Sequence, residues 1–296
     1  MLNSLRLRAA LLSLLLLAVL VGIWHISTSS PALQTPVAGL SMTAEEREYA
    51  ILMGDLPADD AAADSSAARQ DGFPTPLQFA TSAASSIADP FYDNGPNDKG
   101  IGLQLGYSLA RVALGYALAV LVAIPLGFVI GMSPLLYRAL DPFIQILKPI
   151  SPLAWMPIAL YTIKNANISA IFVIFICSVW PMLVNTAFGV ANVRKDWLNL
   201  SRTLEVSPLR AAFRVILPAA APTIITGMRI SMGIAWLVIV AAEMLIGGTG
   251  LGYYVWNEWN NLSLSNVIFA VLLIALVGML LDQMFAQLQK KVTYVD

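Results

Sequence analysis

At 296 residues the chain has the length of about two soluble domains, but 58% of its residues are hydrophobic, only 12% are charged, and the mean hydropathy is +0.73. Soluble folds carry roughly 25% charged residues, so the composition excludes a water-soluble globule; it also excludes bulk disorder, whose mark is low hydrophobicity. The net charge of −1 hides a segregation, because residues 41–100 hold eleven acids and three bases, and no basic cluster elsewhere suits a nucleic acid.

A membrane-crossing helix needs roughly 20 mainly apolar residues. The first such run is Ala9 to Ser27, behind Arg6 and Arg8. It exceeds the roughly 7–15 apolar residues of a signal peptide, and no small-x-small site follows. Residues 1–30 are therefore expected to be an uncleaved anchor helix, with Trp24 in the interface belt. The single histidine, His25, ends this run and the single cysteine, Cys177, lies in another. Neither a disulfide framework nor a Cys/His metal site is available.

Residues 31–100 read as an acidic, partly mobile external loop. They contain Pro36, Pro57, Pro74, Pro76, Pro90 and Pro96 and few large apolar side chains, too few to bury a core. Thr43 with Glu46 three residues on reads as a capping box, opening a short helix over 43–53. Residues 101–296 form the expected core of five further spans: Leu103 to Met132, Pro149 to Ile163, Asn167 to Val190, Thr223 to Ile246 and Asn266 to Phe285. The second of these is short and carries Pro149, Pro152 and Pro157, so its start is expected to be irregular. The fold class is all-α, a polytopic membrane protein of six transmembrane helices. Arg138, Lys148, Arg194, Lys195, Arg202, Arg210, Arg214, Lys290 and Lys291 then share one side, whereas Lys99, Lys164 and the acidic segment share the other. The positive-inside rule puts the basic side and both termini in the cytoplasm.

Residues 191–221 are too polar for a span and too long for a turn. Two short amphipathic helices are expected there. Asp196 is read as the cap of the first, with Trp197, Leu200 and Leu204 near one face. Ser207 followed by Pro208 reads as an N-cap with proline at the first helical position. Leu209, Ala212, Phe213 and Ile216 then form an apolar stripe, and Pro218 and Pro222 are expected to interrupt the helix before the fifth span.

Ionisable residues inside spans are costly and point to function. Arg111 and Glu243 lie at equal outer depth and are expected to form a structural ion pair, with a place in a substrate path as the alternative. Arg229 either snorkels to headgroups or lines a path. Further path candidates are Lys148 at a mouth, Trp155, Met156, Ser178, Asn185, Thr186, Ser231 and Trp236. For these side chains helix–helix packing is the plainer role. The glycine run Gly247 to Gly252 lacks the Lys-Ser/Thr of a phosphate loop and reads as a tight outer turn. No lysine in the chain precedes Ser or Thr, so no Walker A motif is present.

The run from Leu200 to Ile230 resembles the EAA loop of ABC-importer permeases, the binding-protein-dependent inner-membrane components. Ile216-Leu217-Pro218 matches the later part of that motif. The Glu-Ala-Ala position reads Asn199-Leu200-Ser201, and the family glycine is Glu205. Asp141 to Ile158, Ala235 to Gly252 and Trp256 to Asn266 are similar to the nitrate/nitrite and bicarbonate branch of the family. The resemblance implies a type I importer-like permease in a bacterial inner membrane, working by alternating access. It implies a second copy of the chain, ABC ATPase subunits that hold ATP and Mg, and an extracytoplasmic solute-binding protein. It implies no cofactor, metal or catalytic residue on this chain. It assigns ATPase coupling to Leu200, Ser201, Arg202, Thr203, Leu204, Glu205, Val206, Ser207, Pro208, Leu209 and Arg210. The implied cargo is a small inorganic anion, nitrate (with nitrite) first, then bicarbonate or cyanate, then an organic sulfonate. From the residues alone an ion-gradient carrier or channel stays open as a different class. An intramembrane enzyme lacks the base that a nucleophile needs beside it.

Overall fold

The computed structural model describes residues 2–29, 73–95 and 98–292. These residues are almost wholly helical, and the one β pairing among them is an isolated bridge between Asp93 and Lys99. They divide into two units, Met1–Ser85 and Ser86–Asp296. The expected helix over 43–53 lies outside the described residues.

In the first unit, α1 (Leu2–Ser29) contains the apolar stretch Leu7–Thr28, long enough to cross a membrane. Trp24, expected in the interface belt, donates its indole N–H to the Pro74 carbonyl at 2.9 Å and packs against Phe73 and Phe79. Helix α2 (Pro76–Ala88) occupies part of the stretch read as loop. It opens on a reciprocal box: Thr75 N–H donates to Gln78 Oε1 at 2.9 Å, and Gln78 N–H donates to Thr75 Oγ1 at 3.3 Å. That Thr-x-x-Gln signature satisfies two orphan donors of the first turn.

The second unit is a helical bundle. Its elements are α3 (Ile101–Met132), α4 (Pro134–Leu147), α5 (Pro152–Ile163), α6 (Ala166–Ala191), α7 (Lys195–Thr203), α8 (Pro208–Ala211), a π turn (Ala212–Ile216), α9 (Leu217–Ile246), α10 (Leu251–Asn260) and α11 (Leu264–Val292). The central contact is α3 against α6, and α3 makes it with a small residue every fourth position: Gly115, Ala119, Ala123, Gly127 and Gly131. Lipid tails supply no hydrophobic drive between helices, so close backbone approach through small residues takes its place. A Cβ added at Gly127 would lie 2.8 Å from the Leu183 carbonyl, and one at Gly131 would lie 2.5 Å from that of Ala187.

Gly115 meets Ile171 and Ile174 while Gly131 meets Ala187 and Val190, so α3 and α6 run parallel. The chain between them must therefore return across the bundle. It does so as α4 and α5, bent by 90° at a short break. With the five long apolar helices this gives up to six candidate crossings among the described residues. The expected irregular start of the third span is thus a separate helix, α4, followed by the break Lys148-Pro149-Ile150-Ser151. Pro149 and Pro152 withhold amide donors, and Ser151, just before Pro152, is pushed out of the helical region to ψ 136°.

Helix α9 runs antiparallel to α6; Ser231 Oγ donates to the Ser178 carbonyl at 2.8 Å. Pro218 and Pro222 do not interrupt it, contrary to expectation, because Pro208–Ile246 forms one continuous candidate span. The π turn explains this. Its wider ring relieves the clash between the Pro218 ring and the preceding turn, and Leu217 N–H bonds back to Ala212 O. The same turn shifts the helical phase. Ala212 and Ile216 are buried, whereas Leu209 and Phe213 are exposed, so the anticipated single stripe splits across two faces.

Candidate functional site

At one end of the bundle Arg111 and Glu243 meet in a buried knot. Arg111 Nη1 lies 2.8 Å from Glu243 Oε1, and Glu243 is fully buried. The carboxylate also accepts from Ser108 Oγ at 2.8 and 2.9 Å and from Gly252 N–H at 3.1 Å. The rest of the guanidinium donates to Asn167 Oδ1 at 2.7 and 3.1 Å and to both oxygens of Thr249. Gln104 Oε1 and Ser108 Oγ accept from the backbone of Gly250 and Leu251. The glycine run is thereby tied to α3 and α6. A Cβ at Gly250 would fall 2.1 Å from the Glu243 carboxyl carbon, and its φ of +128° is open to glycine alone. The carboxylate and the guanidinium each find several partners within the knot, which is the geometry of a rivet.

The opposite, basic end carries the segment from α7 to α9. Val190, Val193, Ile216, Ala220 and Ile224 form a core beneath it, with Leu198 of α7 packed on top. Arg194, and not Asp196, is the N-cap of α7; Asp196 stands in the first turn, where the helix dipole favours a carboxylate. The α7 terminus is closed by Val206 N–H to Ser201 O and Glu205 N–H to Arg202 O, each 3.0 Å. That is a Schellman pattern with Glu205 in its left-handed position, φ +51°. The family glycine named above falls at this residue, which is where the backbone needs it. Leu200, Leu204 and Leu209 are 59%, 66% and 74% exposed, and Arg202 and Arg210 are exposed beside them. A cavity of about 690 Å³ opens between this segment and the start of α4, with Arg138, Tyr137, Arg202 and Val206 in its wall.

A third region follows one face of α9. Three cavities adjoin it in order. Near Arg229, one of about 420 Å³ lies between α9 and α11; one of about 310 Å³ lies beside Ile234 and Leu237; one of about 560 Å³ lies beside Ala241 and Met244. Leu237 borders the first two. The path candidates differ in what they have left to offer. Asn185, Thr186, Ser231 and Trp236 donate to the carbonyls of Pro181, Met182, Ser178 and Ile274. Met156 is buried. Ser178 Oγ is buried with no partner among the described residues. Arg229 does not stand alone: its Nε and Nη2 donate to the two oxygens of Asp282 at 2.6 Å. Asp282 lies within the last candidate span, and the sequence reading missed it. Lys148 and Trp155 line the middle cavity with Trp180. The expectation of Lys148 at a mouth on the basic side is corrected here. It stands at the α4–α5 break opposite Cys177, Trp180 and Pro181 of α6. By the helical rise Trp180 is about 21 Å from the Ala166 end of α6 and about 16 Å from the other. The break therefore faces the middle of the bundle, because α4 climbs along α6 before the chain bends.

Residues 123–294 match the family described as binding-protein-dependent transport system inner membrane component. The chain is 47% identical over 219 residues to the nitrate import permease of a Synechocystis strain, covering 74% of this chain and 80% of that one. It is also 47% identical over 202 residues to the bicarbonate transport system permease of the same strain, covering 68% and 72%. Among solved structures it is similar to an inward-facing methionine ABC transporter, with a TM-score of 0.57, 16% identity and coverage of 64% of this chain and 94% of that one.

Proposed function

The chain belongs to the binding-protein-dependent inner-membrane transport components, and from that premise we propose that it is the membrane subunit of an ATP-driven importer whose cargo is nitrate. The observation that carries this reading is the α7–α9 segment. Its underside is packed into the bundle through Leu198, while Leu200, Leu204 and Leu209 are turned outward beside Arg202 and Arg210. An exposed apolar patch with a basic rim is an interaction surface, and its partner here is an ABC ATPase. ATP and Mg belong to that partner; the chain itself works without a cofactor. The basic end is cytoplasmic by the positive-inside rule, which leaves the Arg111–Glu243 knot near the outer face, where a solute-binding protein delivers the anion. A second copy completes the pore. ATP-driven closure of the ATPases presses on α7–α9, whose continuity with the span carries the movement inward.

Nitrate rests on the relative named for it; bicarbonate is the second reading, supported by an equal identity to the bicarbonate relative. Two experiments test the proposal. Scrambling the charges and apolar residues of 200–210 abolishes co-purification of the ATPase while the permease still inserts; normal co-purification refutes the docking assignment. Calorimetry on the cognate binding protein separates nitrate from bicarbonate. Uptake by the purified chain without ATP would replace the importer with a gradient-driven carrier.

A further inference from the structure

The middle cavity offers a chemistry that the bundle elsewhere has spent. It lies at the α4–α5 break, lined by Lys148, Ser151, Trp155, Trp180 and Leu237. Irregular backbone at membrane depth is tolerated only where it is buried in protein or lines a wet cavity, and broken helices at mid-depth are where transporters place their cargo. Lys148 has no ion pair or hydrogen bond among the described residues, unlike Arg111 and Arg229, each of which is held by a carboxylate. A lone ammonium at that depth faces the bundle interior or a water path. Trp180 carries a buried indole N–H with no partner among the described residues. Ser151 is the N-cap of α5 yet makes no side-chain cap bond, so its hydroxyl is uncommitted. The break also presents the N-terminus of the 12-residue α5, whose dipole favours negative charge. A cavity of about 310 Å³ holds a small oxyanion with part of its hydration, since a water occupies about 30 Å³.

We propose that this cavity is a transient subsite for the imported inorganic oxyanion, with Lys148 as its positioning cation and the Trp180 N–H as a donor. The proposal rests on the importer reading above. One cation without a second beside it attracts an anion but does not trap it, as conduction requires. Arg229 borders the neighbouring cavity but is neutralised by Asp282, which keeps the second positive charge from deepening the well.

The test uses the whole complex, permease with its ATPases and binding protein in proteoliposomes, and reads nitrate imported per ATP hydrolysed. Lys148→Met should lower that ratio about tenfold, the scale of one lost charge-assisted hydrogen bond, while hydrolysis stimulated by the loaded binding protein persists. Lys148→Arg should restore most of it. Trp180→Phe, which keeps the ring and removes the N–H, should lower it by about threefold. A wild-type ratio in Lys148→Met overturns the subsite and leaves the importer reading intact. Equal loss in Lys148→Arg and Lys148→Met makes the role one of shape, which also overturns it. If Lys148→Met fails to assemble, a wild-type ratio in Trp180→Phe overturns it. A wild-type complex that hydrolyses ATP but imports neither nitrate nor bicarbonate removes both readings together.

Discussion

Replacing Arg111 by leucine tests whether the outer knot holds the bundle together. The variant keeps an apolar stem of similar length on α3 and deletes the guanidinium that donates to Glu243, Asn167 and Thr249. Glu243 is then left fully buried with only the Ser108 hydroxyl and one backbone N–H. Stranding a buried charge in this way costs about 3–5 kcal/mol. For a unit of this size each kcal/mol moves the melting temperature by about 2–4 °C, so a fall of about 10 °C is expected. Tryptophan-fluorescence melting of the purified permease reads it, and proteolysis of the 247–252 turn should accelerate in parallel. Adding Glu243→Leu removes the stranded charge and should recover part of the loss, because residues that share a network couple by about 0.5–3 kcal/mol. A single Arg111→Leu variant that melts within about 2 °C of the parent refutes the reasoning, as does a double variant worse than the sum of the two.

Gly127→Leu should prevent assembly of α3 on α6, since even a Cβ there would sit 2.7 Å from that of Thr186 and 2.8 Å from the Leu183 carbonyl; protein level in the membrane after inhibition of synthesis checks it. Glu205→Gly should stabilise the α7–α8 turn by about 1 kcal/mol, because φ there is +51°, and should leave ATPase co-purification intact; a loss of melting temperature contradicts it. The clip before α3 should be insensitive to neutral pH. Lys99, donating to Asp93 at 2.5 Å, and secondarily the Gly95 N–H hold the Asp93 carboxyl below its ordinary range. A lowered folded value means that the clip's stabilisation is present above the ordinary aspartate pKa of about 3.9 and fades as pH falls through the lower folded value. Hydrogen exchange of residues 98–102, corrected for intrinsic rate, should therefore stay level from about pH 5 to 8. The Tyr92 phenol, raised to about 12 chiefly by burial and then by Asp98, stays neutral throughout.

What could be read from the sequence was what one-dimensional spacing encodes. Apolar run length located each long helix, with ends off by up to seven residues where polar turns continue it, and Ser207-Pro208 marked a helix start. Arg111 and Glu243 were matched by depth alone, since both fall in the outer halves of their spans. The same arithmetic applied to the last span would have joined Asp282 to Arg229: each lies about 15–18 Å from the basic end of its helix. Other features were written in the sequence and passed over, namely the four-residue recurrence of Gly115 to Gly131 and the Thr75–Gln78 box. Two were not legible. The π turn has no sequence signature of its own, and it alone decides that Ala212 turns inward and Phe213 outward. Whether Lys148 belongs to a loop at the surface or to a break at mid-depth depends on how α4 leans on α6, which is a matter of packing and not of composition.

Two independent charges identify which side of α9 is not meant for lipid. The Arg229–Asp282 pair is bidentate, yet its side chains are 37% and 51% exposed. An ion pair with that much surface at hydrocarbon depth is far costlier in acyl chains than against water or protein. Lys148, reached through a different helix, opens on the cavity next to it across Leu237. On the other side of the bundle the α3–α6 seam is closed by small residues, and the charges of the knot are paired with each other. The bundle thus has a sealed side and a side that is complete only when something aqueous or proteinaceous covers it.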